Sequence, residues 1–277
     1  MKLLLPFLLL ALISCGPDKE NFNSTQYTLA YVDISDSQDS TSIAKMTDQI
    51  FTVFANQPLD MDCRFVVRKI GGKSGDSPIY DQTISKLKRD TDRERNNHIT
   101  TLIAMGLELK KAIRNEFDRL HTKPVSMETC ICNTLENAAT ILAQKNTENT
   151  KLQLLIFSDM LEECKEKSSF FKTDFFMCKA DGIPLKSIED LKTIVQNYEP
   201  QTKISQFIDP ENLYLINTGQ PEYQTNKTTC LNDQDLKSIW EEIMVKMGYK
   251  SDDFCTVNGI CFSNEISDRL LRKDDDQ

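Results

Sequence analysis

Tyr27-Thr-Leu-Ala-Tyr-Val-Asp33-Ile-Ser35-Asp36-Ser37 changes character halfway along. Leu29 to Val32 is a short apolar run with aromatic and β-branched residues, the composition of a buried strand. It stops at a crest of side chains bearing oxygen. From Ser40 to Ala55, Ile43, Met46, Ile50 and Phe54 recur at helical spacing. Strand, polar crest and helix in that order make the opening unit of an α/β fold. Taken alone, Asp and Ser at the crest are also what a helix N-terminus selects as caps. Later stretches decide between capping and chemistry.

Further strands and helices follow in alternation. Cys63-Arg-Phe-Val-Val-Arg-Lys-Ile70 reads as a second strand, and Ser77 to Ile84 as a short edge strand. Gly71-Gly72-Lys-Ser-Gly75 between them is a turn; the spacing of a phosphate-binding loop is absent. Asn97 to Leu120 places Ile99, Leu102, Ile103, Leu109, Ile113, Phe117 and Leu120 on one helical face. Ser126 to Asn133 leads into a helix with Leu135, Ala138 and Leu142. Leu152-Gln-Leu-Leu-Ile-Phe-Ser158 is apolar enough for a central parallel strand, with Asp159 at its end. Residues 160–210 are longer than a usual strand–helix connection and read as an insertion. Within it, Ser187-Ile-Glu-Asp190 has the form of a capping box ahead of Ile188, Leu191 and Val195, and Phe170 to Phe176 reads as a small satellite core. Asn212 to Gly219 is another parallel strand, and Asp235 to Met247 a helix carrying Trp240. Val257-Asn258-Gly259-Ile260 signals a hairpin turn.

The chain has 277 residues, 39% hydrophobic and 27% charged, enough for a substantial core. A formal net charge of −9 argues against nucleic acid as partner, since phosphate recognition needs basic surface. Met1 to Ser14 has Lys2 and then an apolar run to Ile13, the form of a signal peptide. It closes on Leu12-Ile13-Ser14-Cys15, which resembles the bacterial lipobox. That resemblance implies cleavage before Cys15, a lipid on its thiol, and a location in the bacterial cell envelope on the periplasmic face or cell surface. Residues 15–26 are then a tether, 27–262 the domain, and 263–277 a charged C-terminal tail.

Nine cysteines is an odd number; lipid on Cys15 leaves eight, a set that suits disulfides in an exported chain. Eight allow roughly a hundred pairings. We expect most of them paired, with Cys164–Cys178 as the most local bridge. With only His98 and His121 in the chain, an imidazole-based zinc site is disfavoured, and Cys130-x-Cys132 is too tight for a zinc knuckle.

In a parallel sheet the strand C-termini share one edge, which is where ligands bind. Asp33, Ser35 and Ser37 leave the first strand there, and Asp159 leaves another. Carboxylates and hydroxyls are hard ligands, suited to Mg²⁺, Mn²⁺ or Ca²⁺. Asp33-x-Ser35-x-Ser37 together with Phe157-Ser158-Asp159 resembles the von Willebrand factor A (VWA) domain family and its metal-ion-dependent adhesion site (MIDAS). The resemblance covers about residues 26–249. It implies a doubly wound, Rossmann-like, mostly parallel sheet flanked by helices, here with a disulfide-bearing insertion. It also implies a threonine ligand from a loop before a helix: Thr129, with Thr134 as the alternative that otherwise serves as a helix cap.

The function so implied is not enzymatic. It is a membrane-anchored binding module whose metal, held by Asp33, Ser35, Ser37, Thr129 and Asp159, engages an acidic side chain of a protein partner. Two alternatives stand beside it. A metal-dependent phosphoryl-transfer hydrolase of similar fold would want a second aspartate where Ser35 stands, and no Gly-x-Ser-x-Gly supports a triad. A structural lipoprotein would use the crest only for caps.

Overall fold

The computed structural model describes residues 24–35, 38–71, 76–89, 91–122, 129–162, 164, 186–218, 231–264, 266 and 270. Cys15, Asp36, Ser37, the phenylalanines at 170–176, Cys178 and Cys230 therefore lie outside the described residues, as does most of the proposed signal peptide and tether.

The chain forms β1 (Thr25–Val32), α1 (Ser40–Ala55), β2 (Asp62–Lys69), β3 (Tyr80–Ile84), α2 (Asp92–His121), α3 (Ile131–Ala143) and β4 (Thr150–Ser158). After these come α4 (Ile188–Gln196), β5 (Leu213–Asn217), α5 (Asp233–Lys246) and β6 (Cys261–Ser263). One six-stranded sheet runs in the order β3-β2-β1-β4-β5-β6, and β3 is its single antiparallel member. Strand period two divides the side chains between the faces. Tyr27, Leu29, Tyr31, Leu154, Ile156, Leu213 and Leu215 pack under α3, α4 and α5, with Trp240 fully buried among them. Ala30, Val32, Leu155, Phe157, Tyr214 and Ile216 pack under α1 and α2. Because β1 and β4 are covered on both faces, they read as nearly unbroken apolar runs.

Several expectations need correction. β1 begins at Thr25, two residues inside the stretch read as tether. Residues 257–260 do not turn a hairpin: β6 runs parallel to β5, so the chain crosses over instead of folding back. The segment read as an insertion is only partly one, since α4 carries Leu191 and Val195 into the core and serves as the crossover between β4 and β5. Its expected capping box is present, with Ser187 Oγ accepting from Asp190 N and Asp190 Oδ2 from Ser187 N. The C-terminal stretch is not all tail: Ser263 closes β6, and Ile266 and Leu270 pack against the α1/α2 side of the core.

The cysteines also depart from expectation. Cys164 is bonded to Cys130, not to Cys178. Cys63 and Cys132 are buried thiols outside any disulfide, on opposite faces of the sheet. Thiols sunk in apolar packing behave as small hydrophobes, which parity arguments cannot see. Among the described residues no helix is long and apolar enough to cross a membrane.

Candidate metal centre

The chain direction explains where polar groups can gather. From β1 it moves outward to β2 and β3, then returns across to β4 on the other side of β1. The C-terminal ends of β1 and β4 therefore flank a topological switch point, where α1 leaves on one face and α3 arrives on the other. Register brings the two ends level, Val32 opposite Phe157, and Asp33 N donates to Phe157 O at 2.9 Å.

Asp33, Ser35, Thr129, Ser158 and Asp159 are all buried there, each no more than 3% exposed. Asp33 Oδ1 accepts from Ser35 N at 3.0 Å, and Oδ2 accepts from Ser158 Oγ at 2.7 Å. Thr129 Oγ1 lies 3.4 and 3.3 Å from the two Asp33 oxygens. Ser158 Oγ is also 3.5 Å from Asp159 Oδ1, so one hydroxyl stands between the two carboxylates. Asp159 Oδ1 further accepts from Leu161 N at 3.1 Å, and its Oδ2 from Gln38 Nε2 at 3.2 Å.

Thr129 and Thr134 separate cleanly. Thr134 Oγ1 donates to Cys130 O within the first turn of α3 and accepts from Gly71 N, so it is occupied locally. Thr129 alone reaches Asp33. The structure thus brings together four of the five residues expected at the site, the fifth being Ser37.

Ser158, Gln38 and Glu162 are site neighbours that the sequence reading did not assign. Ser158 is the last residue of β4 and reads as strand. Gln38 sits in the crest but has no ligand chemistry to flag it. Glu162 follows Asp159 by three residues in a loop, a spacing that belongs to no period. It is fully buried, and its Oε2 accepts from Ile131 N at 2.6 Å and Cys132 N at 3.0 Å, capping α3 from outside its own chain segment. Its Oε1 is buried with no hydrogen-bond partner among the described residues, as are Gln38 Oε1 and Thr218 Oγ1.

The electrostatics follow from burial. Asp33 is pushed above the ordinary carboxylate range by desolvation, against the pull of hydrogen bonds from Ser35, Ser158 and Thr129. Glu162 is pushed up to about 8, chiefly by burial, with the amides of Cys132 and Ile131 opposing and the charge of Asp33 adding to it. Three carboxyl groups, of Asp33, Asp159 and Glu162, are therefore buried at one edge of the sheet.

The loop beyond β4 is held in an uncommon shape. Met160 adopts φ 62°, a left-handed conformation few non-glycine residues take, and its carbonyl accepts from Trp240 Nε1 at 3.0 Å. Such local strain persists where surrounding packing over-determines it, and it frequently marks functional sites.

The donor set is all oxygen: two carboxylates and the hydroxyls of Ser35, Thr129 and Ser158. That chemistry fits a hard divalent cation and excludes a soft one. Among the described residues no three His, Cys, Asp or Glu side chains stand close enough to share an ion, so any metal here would rest on hydroxyls and water as much as on carboxylates. No family model matches the chain, and no curated protein sequence does.

Proposed function

We propose that this chain is an extracytoplasmic binding module of the VWA kind, anchored to the bacterial envelope through lipid on Cys15. It would hold one Mg²⁺, or Mn²⁺ or Ca²⁺ in its place, at a MIDAS-like centre. Asp33, Ser35, Ser37, Thr129 and Asp159 would hold the ion, directly or through water. The bound cation would supply an open coordination position for the acidic side chain of a protein partner.

The observation that carries this reading is the meeting of Thr129 with Asp33. A hydroxyl from the loop before α3 crosses the switch point to touch the carboxylate at the end of β1, beside the Ser158–Asp159 pair. Caps do not require that meeting, because α1 already takes its cap from Asp39, whose Oδ1 accepts from Ser42 N. The mostly parallel sheet flanked by helices is the architecture this reading expects. Against a phosphoryl-transfer hydrolase stands Ser35, where a general-acid carboxylate would be wanted, and the engagement of both Asp33 oxygens with hydroxyl and amide groups.

Isothermal calorimetry with Mg²⁺ and Mn²⁺ tests it. The wild-type chain should give saturable heats and Asp33→Ala none, with far-ultraviolet circular dichroism unchanged. Equal heats from both proteins, or none from wild type, would leave the fold without this chemistry.

A further inference from the structure

Thr129 stands two residues before α3, in an isolated β-bridge, and the residues that follow it carry two ties to the loop after Asp159. Cys130, its immediate neighbour, is bonded to Cys164. The next two amides, Ile131 N and Cys132 N, both point at Glu162 Oε2. Covalent and hydrogen-bonded ties thus join the same two segments: the one that delivers Thr129, and the one that follows Asp159.

Each of the groups that would hold the ion also has ties of its own. The Asp159 side has its own anchors in Met160 N to Ser158 Oγ at 3.1 Å, Leu161 N to Asp159 Oδ1, and Trp240 Nε1 to Met160 O. Asp33 is held by the sheet itself through its amide. Thr129 is held by an isolated β-bridge and, through its neighbours, by the links to Glu162 and Cys164.

We propose that the Cys130–Cys164 disulfide is energetically coupled to metal binding through the position of Thr129. The proposal rests on the metal reading above and adds a redox control to it. In the oxidised protein the bond keeps the Thr129 hydroxyl on Asp33. A dithiol reductant breaks the sulfur–sulfur bond: it gives up two electrons and two protons, becomes a cyclic disulfide, and leaves Cys130 and Cys164 as two thiols. The Thr129 segment then loses its covalent tie to the loop after Asp159 and keeps only the hydrogen-bonded one through Glu162 to that loop, and the Thr129 oxygen is less well placed for the cation.

Internal exchange does not short-circuit this device. Cys132 lies close in sequence, but burial, together with Glu162 and Glu136, holds its thiol well above the ordinary range, and a protonated thiol is a poor nucleophile. Coupling is also reciprocal by thermodynamic necessity. If the disulfide tightens metal binding, bound metal must make the disulfide harder to reduce by the same factor.

The experiment uses the purified full chain, with Mg²⁺ affinity measured by calorimetry in the oxidised state, after dithiol reduction, and in Cys130→Ser/Cys164→Ser. Loss of the disulfide should weaken Mg²⁺ binding by up to about tenfold, the lower end of the scale for groups that orient metal ligands and no more than removing the Thr129 hydroxyl costs. In Thr129→Ala the same reduction should cost little, because the oxygen it would misplace is already gone. Saturating Mg²⁺ should raise the dithiol-to-disulfide ratio needed for half reduction by the same factor. Equal affinity in both redox states overturns the proposal, as does an equal loss in Thr129→Ala. Collapse of the circular-dichroism spectrum on reduction also overturns it, since the bond would then hold the fold and not the site. Absence of Mg²⁺ binding by the oxidised wild type would instead bring down the metal reading, and this inference with it.

Discussion

The two ends of β1 and β4 each bury a cluster of polar side chains, and the clusters are built on opposite principles. At the start of the strands, Gln26 Nε2 donates to Gln57 Oε1 at 2.9 Å, and the Thr28 hydroxyl donates to Gln153 Oε1 at 3.1 Å. Gln57 Nε2 closes the set on Val53 O at 3.1 Å. Every member is neutral, and none of its atoms is both buried and unpaired. At the far end, Asp33, Asp159 and Glu162 are ionisable, and Glu162, Gln38 and Thr218 each leave a buried oxygen without a partner among the described residues. A satisfied neutral network fixes a fold; a buried set of carboxyl groups with open valences is a cost that folding alone does not explain. The same strands therefore bury a satisfied neutral network at one end and the proposed metal site at the other.

Protonation separates the ends most strongly. The neutral cluster has nothing to titrate, whereas the native state holds Glu162 near 8 against an ordinary 4.5. A carboxyl raised in the folded state stabilises fully below its unfolded value and loses that contribution as pH climbs through the folded value. Metal-free protein in chelator should therefore lose stability between about pH 4.5 and 8, by an amount of the order of a few kcal/mol. Glu162→Gln keeps an oxygen for the two α3 amides but cannot ionise. Urea melts across that range should show a flatter profile for the variant and convergence with wild type at the acid end. Parallel profiles would mean that Glu162 does not set the pH dependence.

The neutral end should respond to a different change. Thr28→Val preserves shape but removes the hydroxyl from Gln153 and Gln57, leaving buried amide groups short of a partner. Denaturant unfolding should show a loss of about 1–3 kcal/mol. Mg²⁺ affinity should not move, because this cluster lies at the strand starts and the proposed metal ligands at their ends. A variant that loses both would show that the ends are not independent.

How far each end could be read from sequence follows from the same contrast. Strand period and helical spacing are local, so β1, α1, β4 and α5 were legible within a few residues, and Asp33, Ser35 and Asp159 fell on strand ends. The placement of Thr129 needed the resemblance, since spacing along α3 favours neither it nor Thr134. Glu162 was invisible, because its role comes from two amides thirty residues earlier in the chain. Cys130–Cys164 was missed for a related reason: the local bridge looked cheapest in loop length, but the switch point brings two distant loops together. β6 was misread because Asn258-Gly259 marks a turn without stating which strand it serves. Gly259 is required there by close approach, as an added Cβ would stand 2.0 Å from Asp253 O.

Thr129→Val sets the smallest effect against the sharpest distinction. Its hydroxyl sits 3.3–3.4 Å from Asp33, at the long end of hydrogen bonding, so it contributes little to folding while no metal is bound. Asp33 would keep Ser158 Oγ and Ser35 N, and melts of the metal-free protein should shift by under about 1 kcal/mol. Mg²⁺ binding should weaken about tenfold, equivalent to ~1.4 kcal/mol. That pairing, a small change in stability with a larger one in affinity, is the reverse of Thr28→Val. The two threonines serve as each other's control: both are buried, both bear a hydroxyl among polar partners, and they differ in which end of the sheet they serve. Calorimetry and melting on the two variants side by side would show the crossing. If Thr129→Val instead lowers stability by as much as Thr28→Val and leaves Mg²⁺ affinity alone, the far end of the sheet is a structural network as well, and its carboxylates are merely tolerated.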